Sequence, residues 1–143
     1  MPNFAAEAQR QMQNIGLITL VVQDYDEAIA FYVGRLGFEL VEDQFMPEQN
    51  KRWVVIAPSG ATASSTKLLL ARASNELQST RVGNQTGGRV MGFLHTDDFQ
   101  ADVERYKANG VRFAREPQLA PYGWVAVIQD LYGNLWDLIG PAT

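Results

Sequence analysis

Asp137 lies in "LWDLI", a run that reads as a strand, between bulky apolar neighbours. Asp is depleted from strands, so a carboxylate there needs a reason. Four chemistries supply one: a metal ligand, a general acid or base, a contact for a cationic ligand, or one half of a structural pair. The other titratable candidate is His95, the sole histidine. It follows Met91 and Phe93 at period two, so all three should share one strand face. The chain has no cysteine, which removes disulfides, thiol nucleophiles and thiolate metal sites. One imidazole cannot build a zinc site of several histidines, and a Ser-His-Asp triad would have to run through His95. Trp53, Trp124 and Trp136 offer aromatic surface for a core, an interface or a ligand. Trp136 alternates with Asp137 and should point the opposite way, under the helices or into an interface. Arg52, Arg72 and Arg89 flank strand ends, and any of them could reach a binding site. The segment "GNQTGGRV" (83–90) is glycine-rich, but no strand precedes it and no Lys-Ser/Thr follows, which argues against a phosphate loop.

These residues need elements to place them, and the elements come in a repeat. The segment "ITLVVQDYDEAIAFYVGRLGFELVED" (18–43) matches "GFLHTDDFQADVERYKANGVRFAREP" (92–117) in order. Each opens with a short apolar strand that stops at an Asp, Asp24 or Asp98. A helix follows: Asp24 with Glu27 reads as a capping box, and Asp98 can cap alone. Phe31, Tyr32 and Leu36 keep to one face of the first helix, as Phe99, Val103 and Tyr106 do in the second. Gly37 and Gly110 close the two helices at the C′ position. A strand comes next, then a hairpin whose first strand opens on tryptophan: "RWVVIAPSG" with "KLLLARA", and "GWVAVIQDLYG" with "NLWDLIG". Each half therefore reads βαβββ. Module one spans 15–73, a polar linker 74–89 and module two 90–140, together one domain over 15–140 behind an extension of residues 1–14. Phe4, Ala8 and Met12 recur at spacing four in that extension, the pattern of a helix that packs on the body or a partner, or frays.

The bulk numbers suit this reading. A chain of 143 residues with 46% hydrophobic and 20% charged residues is an ordinary soluble globular domain. A net charge of −4 without any basic run speaks against nucleic acid. No apolar run approaches the roughly 20 residues that span a bilayer, and "MPNFAAEAQRQMQN" lacks the order of a signal peptide. The expected location is cytoplasmic.

Two βαβββ modules of this size resemble the vicinal oxygen chelate superfamily, the glyoxalase/bleomycin-resistance/dioxygenase fold. The resemblance rests on "ITLVVQDYDEAIAFYVGRLGFEL", "TDDFQADVERYKANGVRF" and "DLYGNLWDL". It implies an α+β fold of two βαβββ modules forming cup-shaped mixed sheets. In metal-dependent members four side chains from the first and last strands of the modules meet at one ion. The resemblance places those positions at Leu17, Leu69, Met91 and Asp137. Two leucines and a thioether do not bind a hard divalent ion. The chain therefore reads as a relative without the metal site or another cofactor, and the Lewis-acid and redox mechanisms of the family lose their centre.

The expected function is binding of a small, partly apolar molecule in a cup lined by Leu17, Leu69, Met91, Phe93, His95 and Asp137. The bleomycin-resistance branch is similar in this respect. The alternative is a metal-independent lyase or isomerase with Asp137 and His95 as the acid–base pair. A third reading is a metal-dependent glyoxalase or dioxygenase with ligands elsewhere. Superfamily members commonly pair modules within or across chains, which with the aromatic strand residues implies a homodimer.

Overall fold

The computed structural model describes residues 11–142. The helix expected from Phe4, Ala8 and Met12 rests on positions of which only Met12 lies within that span.

Among the described residues, eight strands form two sheets of identical order. In module one, β1 (Leu17–Val22) runs parallel to β4 (Lys67–Arg72), β4 is antiparallel to β3 (Lys51–Ala57), and β3 is antiparallel to β2 (Glu39–Met46). In module two, β5 (Val90–His95) runs parallel to β8 (Leu135–Gly140), followed by antiparallel β7 (Gly123–Gln129) and β6 (Arg112–Ala120). The repeat read in the sequence is thus a repeat of topology, with β1 and β5 in equivalent places.

Helix α1 (Tyr25–Ile29) starts where the Asp24 carboxylate accepts from the Glu27 N–H at 2.9 Å. It continues as a wider π-helical turn over Ala30–Arg35, with the Leu36 N–H on the Phe31 carbonyl at 3.1 Å. Helix α3 (Phe99–Ala108) is capped by Asp98, which accepts from the Ala101 N–H at 3.2 Å; the linker between the modules contributes the short α2 (Glu76–Ser79). Gly37 and Gly110 end α1 and α3 at φ of +79° and +77°, a region that costs glycine nothing. The capping box is altered in one detail. The Asp24 N–H donates to the Tyr132 hydroxyl at 3.2 Å, and that hydroxyl donates on to Glu27 at 2.8 Å. A residue of module two thus stands between the two halves of a cap in module one.

The alternation of each strand sorts its side chains onto two faces. Leu20, Val22, Val54, Ile56 and Leu70 cover the helix-bearing face of the first sheet, and Leu94, Ala126, Ile128, Trp136 and Leu138 that of the second; all are buried. Phe31, Tyr32 and Leu36 of α1 and Phe99, Val103 and Tyr106 of α3 join them in one contiguous core. Both helices therefore lie between the two sheets. Further hydrogen bonds tie the halves. The Asn109 side-chain amide donates to the Arg35 carbonyl at 3.0 Å, Arg105 donates to the Leu36 carbonyl at 3.4 Å, and Trp136 Nε1 donates to the Tyr32 hydroxyl at 3.0 Å. With the helix-bearing faces turned toward a shared core, the opposite face of each sheet points outward.

Candidate functional site

On the outward face of module one, one rung runs Thr19, Leu69, Val55 across β1, β4 and β3. Trp53 stands two residues before Val55 on β3, and Val21 two after Thr19 on β1, on the same face. Leu17 opens β1 and is exposed. A cavity of about 380 Å³ is bordered by Thr19, Val21, Trp53 and Leu69, and reaches Arg72 at the end of β4 and Tyr25 at the start of α1. On module two the equivalent rung is Phe93, Asp137, Val127 across β5, β8 and β7, and the next is His95, Ile139, Val125. Asp137 and His95 are therefore diagonal neighbours on one outward face.

Asp137 is half-buried, between an exposed phenylalanine and a buried valine. Among the described residues its carboxylate takes part in no hydrogen bond or ion pair. The structural-pair reading of this carboxylate finds no partner among the described residues. Its neighbour Trp136 points the other way, as alternation requires, and gives its N–H to Tyr32. Trp124 also faces the core, stacked on Phe99 with ring centroids 5.8 Å apart. Only Trp53 of the three tryptophans borders the outward cavity.

Met91 departs from the alternation that linked it to Phe93 and His95. The β5–β8 register shifts between Val90 and Gly92, and Met91, in that irregularity, packs against the core. The extra residue of a bulge breaks the period of two. Gly92 beside it has no side chain because the Trp136 ring occupies the place: a Cβ would stand 2.4 Å from Cζ3.

The positions expected to line one cup do not share a cavity within one chain. Leu17 and Leu69 belong to the outward face of the first sheet; Phe93, His95 and Asp137 belong to that of the second, across the shared core. His95, at the end of β5, also borders a cleft of about 530 Å³ between the modules, with Asp97, Asp102 and Arg105. That cleft opens beside α3 and is separate from the Asp137 rung. A hard divalent ion does not fit the carried-over positions, because only Asp137 supplies an oxygen ligand. Among the described residues no three His, Asp or Glu side chains gather as an ion would require.

The buried carboxylate of this fold is another one, Asp130, which the sequence reading passed over. It accepts from the backbone N–H groups of Tyr132, Gly133 and Asn134, each at 2.9 Å, from the Asn134 amide at 2.9 Å and from the Tyr32 hydroxyl at 2.6 Å. Burial, then the Asp130 charge, holds the Tyr32 phenol well above its ordinary range. Burial and the bond to Glu27 likewise raise Tyr132. Gln85 was also missed: its side-chain oxygen accepts from the Val21 N–H at 2.9 Å and its amide donates to the Thr19 carbonyl at 2.7 Å, closing the free edge of β1. A carboxylate four places before a turn asparagine was the available signal for Asp130; nothing local marks Gln85.

Comparison with known proteins agrees with this architecture. The family model for the Glyoxalase/Bleomycin resistance protein/Dioxygenase superfamily matches residues 14–138. An uncharacterized protein of Shewanella frigidimarina is 57% identical over 127 residues, covering 89% of this chain and 93% of its own. The crystal structure of UcmS2 superposes with a TM-score of 0.77 at 28% identity, over 93% of this chain and 100% of its own. That of TnmS3, an antibiotic binding protein from Streptomyces sp. CB03234, gives a TM-score of 0.70 at 29% identity, over 92% and 98%.

Proposed function

The chain belongs to the glyoxalase/bleomycin resistance protein/dioxygenase superfamily, and from that membership we propose that it binds a small, partly apolar molecule in a cup completed by a second copy of itself. The observation that carries the reading is the outward face of module two. One half-buried carboxylate, Asp137, stands there unpartnered among apolar side chains, where metal-dependent relatives close their ion site. Such a face suits an organic ligand with one hydrogen-bond donor better than it suits an ion. Antibiotic binding by TnmS3 supports the same reading by similarity.

The second copy follows from the placement of the site positions. Outward faces that lie back to back in one chain meet only across chains, the first sheet of one protomer over the second sheet of its partner. Both faces carry apolar surface that a monomer leaves in water: Leu17 is 39% exposed and Phe93 59%. A C2 pair would cover both and create two equivalent cups. Asp137 would then fix the ligand's donor from the floor of the cup, and Leu69 and Phe93 would supply contact area.

Sedimentation and titration with an uncharged naphthylamine dye on the same sample test this. A dimer that binds the dye saturably, about one per cup, is the expected result. Monomer only, at micromolar concentration, with no saturable binding, would defeat the proposal. The diagonal placement of His95 and Asp137 keeps the lyase or isomerase reading in view; turnover abolished by both His95→Ala and Asp137→Asn would favour it over a binding protein.

A further inference from the structure

The outward cavity of module one carries a charge pattern opposite to that of the chain. Its lining includes Lys51, Arg52 and Arg72 and no Asp or Glu, although the net charge is −4. The three cations are not equivalent. Arg52 is engaged: Asp43 accepts from its Nε at 3.1 Å and its Nη2 at 2.7 Å, and Asp26 from its Nη1 at 2.8 Å. Those bonds, Asp43 first, push its guanidinium above the ordinary range. Lys51 is exposed on a flexible stem.

Arg72 differs from both. Among the described residues it makes no ion pair, and the Asn50 carbonyl accepts from its Nη2 at a long 3.4 Å. Yet, like Arg52, whose guanidinium lies 5.2 Å from the centroid of the buried Tyr25 ring, it is placed, at 5.3 Å from the same centroid. A guanidinium resting on an aromatic face keeps its plane while its edge donors stay free. Arg72 borders a cavity with an apolar side at Val21, Trp53 and Leu69 and polar groups at Thr19, Gln49 and Gln78. An arginine held in position with open donors is prepared for a carboxylate or sulfonate, which it can meet with two parallel bonds. The like charge of Lys51 disfavours a cation there, whereas the charge of Arg52 is met by Asp43 and Asp26. The apolar walls and the acidic chain disfavour a polyphosphate or nucleic acid.

We propose that the module-one half of the cup takes the anionic group of a flat, mainly apolar organic acid, with Arg72 as its charge partner and Trp53 as an apolar wall. This rests on the reading of the outward faces as halves of a ligand cup, and adds the chemical class of the ligand. Asp137 on the facing half then meets a hydroxyl or amine at the other end of the same molecule.

A pair of dyes of nearly the same shape separates the two ideas: anilinonaphthalene sulfonate, an anion, and phenylnaphthylamine, which is uncharged. Both are titrated by fluorescence into the intact protein and into the Arg72→Gln, Arg72→Lys and Trp53→Leu variants, with thermal melts to verify folding. The expected result is about tenfold tighter binding of the sulfonate by the native protein. Arg72→Gln should remove that preference without changing the uncharged dye, Arg72→Lys should restore part of it, and Trp53→Leu should weaken both dyes. If both dyes bind the native protein equally, or Arg72→Gln leaves the sulfonate unaffected, the anion site is refuted while the cup stands. If neither dye binds, the cup and the anion site fall together.

Discussion

Tyr32→Phe removes one oxygen from the centre of the joint between the modules. That hydroxyl donates to Asp130 at 2.6 Å and accepts from Trp136 Nε1 at 3.0 Å. The ring itself is untouched and keeps its edge contacts with Phe31 and Trp136. The cost is therefore that of two buried groups each losing a partner. Asp130 retains four other donors, so its share is that of one charge-assisted bond, about 1.5–3 kcal/mol. The Trp136 N–H loses its protein acceptor, which adds about 1–3 kcal/mol of unrecovered desolvation. Partial relaxation brings the sum to roughly 3 kcal/mol, a large effect for one atom. At about 4 °C per kcal/mol for a domain of this size, the melting temperature should fall by roughly 12 °C. Urea unfolding of Tyr32→Phe, Trp136→Phe and the double variant gives the coupling directly. The two losses should fall short of additive by more than 0.5 kcal/mol, roughly the limit for independent sites. A single-variant loss under roughly 0.5 kcal/mol, or full additivity, would show that the buried bonds do not hold the modules together.

Three further outcomes follow from the same geometry. The phenols of Tyr32, Tyr106 and Tyr132 are all raised above the ordinary value of 10.0, chiefly by burial. Below that pH the folded and unfolded chains hold the same phenolic protons. Above it only the unfolded chain releases them, so stability should be flat up to about pH 10 and then fall, by about 1.4 kcal/mol per pH unit for the buried Tyr32. Denaturant midpoints from pH 7 to 11 measure this, and stability that is unchanged at the alkaline end contradicts it. Gly92→Ala puts a Cβ 2.4 Å from Trp136 Cζ3, whose indole is held by Tyr32. It should lose about 1–3 kcal/mol by overpacking, and a neutral effect in urea unfolding would mean that the ring moves freely. Asp137→Asn should leave the melting temperature within about 2 °C, since no partner is lost. It should weaken an amine-bearing aromatic ligand about tenfold in a calorimetric titration, the equivalent of about 1.4 kcal/mol; a variant that unfolds would make Asp137 a structural residue instead.

The sequence by itself determined the modules. Asp24 and Asp98, the spacing of Phe31, Tyr32 and Leu36, the terminal Gly37 and Gly110 and the alternation in "LWDLI" are local signals. They act over one turn of helix or two residues of strand, so local physics makes them legible. That Leu17, Leu69 and Met91 cannot ligate a hard divalent ion was equally readable, because it depends on which atoms they carry and not on where they lie. Tertiary structure decided how the faces are disposed. Nothing in the periodicity distinguishes modules joined face to face from modules joined through their helices. That choice is made by side chains about a hundred positions apart, Tyr32 with Asp130 and Trp136, and Asp24 with Tyr132. Their hydrogen bonds stabilise the chain only once water has been excluded from the joint. The same long-range packing put Met91 into a bulge beside Gly92, where the Trp136 ring needs the space. It left Arg72 on Tyr25 away from any described carboxylate, while Arg52, an equal candidate in the sequence, met two. Residue type limits what each group can do, but which of them remains available for a ligand depends on the neighbours that the fold brings to it.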